Sequence, residues 1–420
     1  MRNATLWRAL LGVEKTVIES VEYDEDEEFL VVAVRPTRRA SSRCGRCQRK
    51  SPWYDRGEGR RRWRALDLGT IPVWLEADAP RVNCPVHGPT VRAVPWARHA
   101  AGHTVVFDEQ VAWLATQCSK TAVTELMRIA WRTVGAIITR VWADIEKLHD
   151  RFDGLRRIGI DEISYKRGHR YLTVVVDHDS GRLVWAAPGR DKATLGLFFD
   201  ALGEQRCAQI THVSADGADW ISGVVAERCP NAVRCADPFH VVRWATDALD
   251  EVRRAAWNQA RGAVTQRRAG RASGHAKALK HARYALWKNP ENLTTRQQAK
   301  LAWVAKTDPR LHRAYLLKEG LRLVFQLGYD EAVDALEAWI GWARRCRIPA
   351  FVDLQRRIVK HKASILASIE HGLSNGRIES VNTKIRLITR VAFGFRSPEA
   401  LIALAMLNLG GHKPVLPGRI

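Results

Sequence analysis

Five carboxylates stand in positions that folding alone does not explain. Asp161 and Glu162 close the apolar run Arg157-Ile158-Gly159-Ile160, Asp216 and Asp237 close two later apolar runs, and Glu379 lies in the helical segment that follows Leu373-Ser374-Asn375-Gly376. An acidic side chain at the end of an apolar strand is costly unless it faces a cation. Phosphodiester chemistry supplies such a reason: two divalent ions roughly 4 Å apart, held by hard oxygen ligands, activate the attacking oxygen and stabilise the leaving one. Strand-end aspartates on neighbouring strands plus one helical glutamate can converge on such a pair. Strand alternation points Glu162 to the opposite face from Asp161, so Glu162 is left out of the set.

A second group suits a different metal. Cys44-Gly45-Arg46-Cys47 and Cys84-Pro85-Val86-His87 are two tight knuckles that together offer three thiolates and one imidazole, a tetrahedral Zn²⁺ set. Soft ligands of this kind predict a structural zinc at Cys44, Cys47, Cys84 and His87. Cys118, Cys207, Cys229, Cys235 and Cys346 are scattered and read as core thiols. Between the knuckles, Arg60, Arg61, Arg62 and Arg64 interleave with Trp53, Tyr54 and Trp63, a ridge able to meet a DNA backbone.

The elements that must position these groups are legible in outline. From 104 to 148 the periodicity is helical, with Ser119 capping a short middle helix and a third helix opening on Trp131, Arg132 and Thr133. That is the pattern of a helix-turn-helix, in which Trp131, Arg132, Thr133 and Arg140 would face DNA. Residues 157 to 240 read as three strands, a helix, a strand, a helix, a strand and the start of a helix. This is the order of an RNase H-like mixed sheet, with Asp161 on the central first strand and Asp216 at the end of its neighbour. Residues 241 to about 370 carry no strand signal, and Arg253 to Lys288 contains no acidic residue while it carries Arg267, Arg268 and Arg271 among its cations. On the last long helix Ile378, Val381, Ile385 and Ile388 face a core, while Glu379, Asn382, Arg386 and Arg390 line an adjacent exposed stripe near Lys384.

Composition agrees with a nucleic-acid partner. The 420 residues carry 67 Lys+Arg against 45 Asp+Glu, a formal charge of +22; a chain this basic is most simply read as a phosphate binder. Its length exceeds one core. No run of 18 apolar residues and no apolar leader are present, which predicts a cytoplasmic, nucleoid-associated protein without a membrane contact.

The motifs GIDEISYKRG, VSADGADW…CPNAVRCADPFHVV and SNGRIESVNTKIRLITRVAFGF, preceded by the CxxC…CPxHG knuckles, resemble those of the ISL-three family of bacterial insertion-sequence transposases. The resemblance implies a multidomain α/β chain. It consists of a zinc-binding domain (1–99), a helix-turn-helix (100–150), an RNase H-like catalytic domain (151–240 and 371–412) and an all-helical insertion (241–370). It further implies a catalytic set of Asp161, Asp216 and Glu379 working with Mg²⁺ or Mn²⁺ on double-stranded DNA, as a homodimer that pairs two transposon ends. Asp237 is the competing second carboxylate; with Asp216 preferred, Asp237 and His240 become near-site supports. A non-catalytic DNA-binding regulator and a nuclease without strand transfer are the alternative functions.

Overall fold

A computed structural model describes residues 3–216, 218–266 and 276–419. The chain forms two compact units, residues 1–150 with 387–420, and residues 151–386. Arg267, Arg268 and Arg271 lie outside the described residues.

The first unit opens with α1 (Asn3–Leu10), β1 (Thr16–Asp24) and β2 (Phe29–Pro36), followed by β3 (Trp53–Asp55), β4 (Arg60–Leu68), β5 (Ile71–Asp78), β6 (Arg81–Cys84) and β7 (Gly88–Val91). Strands β1-β2-β5-β4 form one sheet over a core of Val32, Val34, Trp63, Val73 and Leu75; β3-β6-β7 form a second, small sheet that carries the second cysteine knuckle. Three helices follow: α2 (Val105–Gln117), α3 (Lys120–Met127) and α4 (Trp131–Leu148). Ser119 caps α3 by accepting from the Ala122 N–H at 3.2 Å. Arg128, in the left-handed region (φ 52°), ends that helix and allows the sharp turn into α4. Val134, Ile137, Ile138 and Val141 are buried along α4, as their spacing predicts.

The second unit is built on β8 (Arg157–Lys166), β9 (Arg170–Asp177), β10 (Leu183–Pro188), α5 (Lys192–Leu202), α6 (Glu204–Cys207), β11 (His212–Ala215), α7 (Asp219–Arg228) and β12 (Val233–Ala236). The sheet order is β10-β9-β8-β11-β12, the first three strands antiparallel and the last two parallel to β8. Ile158, Ile160, Val175, Val213, Phe198, Phe199 and Ile221 fill the core between sheet and helices. Full burial of each such side chain contributes roughly 1.5–3 kcal/mol. Asp161 is not at the strand's tip: β8 continues through Lys166 because it keeps pairing with β9, Asp161 opposite Val174. What stops at Ile160 is the parallel partner, whose last pair is Ala215 with Ile160.

Helix α8 (Pro238–Gln266) then leads into a helical array, α9 (Arg283–Trp287), α10 (Thr295–Thr307), α11 (Pro309–Val324), α12 (Tyr329–Arg345), α13 (Pro349–Lys360) and α14 (Lys362–Glu370). Leu249, Leu317, Leu321, Leu336, Trp339, Phe351 and Ile358 make its separate core. Helix α15 (Gly376–Val391) returns to the sheet and α16 (Pro398–Leu409) packs on α4 in the first unit. The segment 371–412 is thus divided at Leu387. The reason is visible in α16, where Ala400 fits against the bare Cα of Gly135 on α4.

Candidate active site and zinc centre

Strand register builds the carboxylate cluster. Ile160 pairs with Ala215, and Ala215 pairs with Ala236; the residues that follow these three are Asp161, still on β8, and Asp216 and Asp237, just past the ends of β11 and β12. With neighbouring strands about 4.8 Å apart, three aspartates stand in a row at one level of the sheet. Burial pushes the Asp161 carboxyl up to about 6; the Glu162 N–H pulls the other way, and the Asp216 and Asp237 carboxylates reinforce the rise. Oxygen donors of this kind suit Mg²⁺ or Mn²⁺ rather than a soft metal.

The three differ in how they are held. Asp161 accepts from the Glu162 N–H at 2.8 Å on Oδ1 and from Asn382 Nδ2 at 2.8 Å on Oδ2. Asp237, nearly fully buried, has partners on both oxygens: Oδ1 accepts from the Asn375 N–H at 3.1 Å, and Oδ2 meets His240 Nδ1 at 2.6 Å and accepts from the His240 N–H at 3.3 Å. Burial alone would raise Asp237, but the His240 and Asn375 bonds outweigh it and hold the carboxyl below its usual range, while the same contact raises His240. Asp216 is half-buried and accepts from the Ala218 N–H at 3.1 Å.

Behind the row, a buried polar chain ties α15 to the sheet. His178 Nε2 meets Ser214 Oγ at 2.7 Å, and Ser214 Oγ donates to Asn375 Oδ1 at 2.7 Å. Asn375 thus spends its side chain on β11 and its N–H on Asp237, just before the first residue of α15. Gly159 allows the approach: a Cβ there would lie 2.2 Å from Ile378 Cδ1. Glu379 is exposed on α15, one turn from Asn382; its side chain has no hydrogen-bond or ion-pair partner among the described residues. Asn382 departs from the expected exposed stripe; it is 2% exposed, because this side of the helix turns toward β8 rather than solvent. Glu162 reaches Arg190 at 3.6 Å, and burial followed by the Asp216 carboxylate pushes it up to about 7, so the cluster's field extends to it despite strand alternation.

The thiol and imidazole set converges. The ligand atoms of Cys44, Cys47, Cys84 and His87 all lie within 4.8 Å of one another. Cys47 Sγ is 3.6 Å from Cys84 Sγ, and His87 Nδ1 is 3.7 Å from both Cys44 Sγ and Cys84 Sγ. A tetrahedron with Zn–S bonds of about 2.3 Å has edges of about 3.7 Å, so the donor set fits zinc. Burial opposes ionisation of Cys84, yet the Val86 and His87 N–H groups and the His87 ring bring its thiol down to about 6.

The cations expected at DNA are not equally free. Arg132, Lys384, Arg386 and Arg390 are exposed, and Trp131 and Thr133 half-buried. Arg140 is instead spent internally: it forks onto fully buried Asp108 at 2.8 and 3.0 Å, which needs the charge more than solvent does. Arg60 and Arg62 both pair with Glu76, and Arg61 donates to the Ala101 carbonyl at 2.8 Å, so the predicted ridge is partly neutralised by its own sheet.

Comparison with known proteins decides the family. A transposase profile for the DDE domain of ISL3 elements matches residues 158–405. The chain belongs to the ISL3 family of transposases. The family's helix-turn-helix profile matches residues 92–142, and the zinc-finger profile of the IS204/IS1001/IS1096/IS1165 transposases matches 40–87. The chain is 68% identical, over all of its length and 98% of the relative, to the transposase for insertion sequence element IS1557 of Mycobacterium tuberculosis. It is 27% identical, over 95% of its length and 96% of the relative, to the transposase for insertion sequence element IS1001 of Bordetella parapertussis. It is therefore an insertion-sequence transposase with a DNA-binding helix-turn-helix and a DDE domain. Among the described residues no helix is long and apolar enough to cross a membrane.

Proposed function

We propose that this transposase binds the terminal inverted repeats of its element and carries out DNA strand cleavage and strand transfer at Asp161, Asp216 and Glu379. The row of aspartates at one sheet level carries the reading. Asp216 is preferred to Asp237 as the second ligand because it follows the strand adjacent to β8, the strand that carries Asp161. Glu379 joins from α15, exposed and unpaired one turn before Asn382. Mg²⁺ or Mn²⁺, when bound, supplies the Lewis acidity that lowers the cost of the attacking and leaving oxyanions. The protein's own part is to hold the carboxylates at fixed spacing and to fix the DNA strand over them with Arg386, Lys384 and Arg390. His240 keeps Asp237 ionised and locked, which adds negative field beside Asp161.

The zinc-bound knuckles (residues 1–99) and the helix-turn-helix (100–150) read the ends. Trp131, Arg132 and Thr133 lead the recognition helix, and the helical insertion (241–370) clamps DNA. The catalytic domain is 151–240 with the part of 371–412 that ends at Arg386, and two copies pair two ends. The deciding experiment is strand transfer on end-bearing DNA with Mn²⁺. Asp161→Asn and Glu379→Gln should bind the ends and fail to join them; full joining by either variant sinks the proposal. Cleaved, unjoined products from the unaltered chain would instead favour a nuclease.

A further inference from the structure

Asn382 carries an unexplained atom. Its Nδ2 donates to Asp161 Oδ2 at 2.8 Å, while its Oδ1 is buried and meets no hydrogen-bond donor among the described residues. A buried carbonyl oxygen without a donor costs roughly 1–3 kcal/mol. Flipping the amide does not remove the problem: it would turn Oδ1 onto the Asp161 carboxylate, oxygen against oxygen, and leave the amide N–H groups without that acceptor. The surroundings sharpen it. Asp161 feels the carboxylates of Asp216 and Asp237. A site rich in oxygen acceptors is complete only when a positive group enters it.

We infer that Asn382 is a neutral ligand of the catalytic cation site, its Nδ2 fixing Asp161 and its Oδ1 facing the divalent ion. This rests on Asp161 being a ligand, as proposed above. Asn382 and Glu379 are three residues apart on α15, so one helix turn would present a charged and a neutral oxygen side by side. A neutral donor adds coordination without adding a further negative charge to a cluster that already strains to ionise. Gly159 and the Asn375 to Ser214 bond set the depth of the helix and thereby the reach of this amide.

The test is calorimetric titration of Mn²⁺ into the full, zinc-loaded chain without DNA, alongside thermal melting. Asn382→Leu, folded by circular dichroism, should bind Mn²⁺ at least tenfold more weakly than the unaltered protein; binding within twofold overturns the inference. Asn382→Asp guards against a folding defect. A ligand role predicts Mn²⁺ affinity equal to or tighter than that of the unaltered chain, with a larger Mn²⁺-induced rise in melting temperature. A residue that serves only as donor to Asp161 predicts weaker binding by Asn382→Asp, since Asp meets Asp, and that result also overturns it. If the unaltered chain takes up no Mn²⁺ beyond its zinc, the carboxylate site itself is misread, an outcome separate from equal binding by Asn382→Leu.

Discussion

Asn382 and Asp161 are 221 residues apart in sequence and 2.8 Å apart in space. The contact joins the last helix of the catalytic unit to the strand that starts it, and the whole helical array lies between them in sequence. Anything that displaces α15 from the sheet should therefore act on the chemistry, even far from a carboxylate.

Gly159→Ala is the sharpest probe of that coupling. Its Cβ would lie 2.2 and 2.7 Å from Ile378 and 2.9 Å from His178 Nε2. Ile378, or helix α15 that carries it, must shift, costing about 1–3 kcal/mol of stability. Strand transfer should fall by more than end binding does; equal joining by a destabilised variant would show that the helix's depth is irrelevant.

Asp161→Asn and Asp216→Asn should each lower strand transfer about a thousandfold, ~4 kcal/mol of transition-state stabilisation. Without divalent ions at pH 7.5, Asp161→Asn should melt at or above the parent temperature. The reason is that burial pushes that carboxyl up to about 6, so its ionised form is held at a cost. Asp237→Asn should instead melt lower, because the single amide oxygen cannot accept from both His240 and the Asn375 N–H, and the negative charge opposite His240 is lost.

His178 predicts a pH dependence of stability. Burial brings it down to about 4, helped by Arg377 and Arg157 and opposed by Asp177 and Asp179. The folded chain keeps it neutral until about pH 4, whereas the unfolded chain takes up a proton below pH 6.5. The unfolded state binds more protons in that window, so stability falls as pH drops through it, by at most about 3 kcal/mol. Asp161 acts with the opposite sign, its folded form holding the extra proton between pH 3.8 and about 6. The difference in urea midpoints between the parent and His178→Gln isolates the histidine; parallel pH curves would refute it.

Arg132 and Arg140 should separate cleanly. Arg132→Ala is expected to weaken end binding and to reduce the salt slope by about 1, as loss of one phosphate contact does. Arg140→Ala should lower stability by roughly 1–3 kcal/mol through buried Asp108, with little change in binding once folded. Filter binding at several salt concentrations, paired with melting curves, checks both.

Zinc removal should report on the knuckles. Elemental analysis is expected to give one zinc per chain, lost in the Cys44→Ser, Cys84→Ser double variant. Because the metal's binding energy is folding energy for so small a sheet, that variant should lose local structure and end binding together. A metal-free chain that keeps both would contradict it.

Residue type and order were enough to place the five strands of the second unit, the two cysteine knuckles, the helix capped by Ser119 and the aspartates Asp216 and Asp237 just past their strands, because periodicity and capping are local properties of the chain, whereas β8 runs on past Asp161. The same local rules put Asn382 on an exposed stripe and Arg140 at DNA. Helical spacing sorts residues into faces, but it does not say what each face meets. Pairing decided those questions: Gly159 let α15 settle on β8, which buried Asn382, and Asp108, buried under α4, captured Arg140. The sequence by itself determined which groups were available for cation and zinc chemistry. Only the register of β8, β11 and β12 set three aspartates at one level, since alignment across strands is a long-range choice that no single segment encodes.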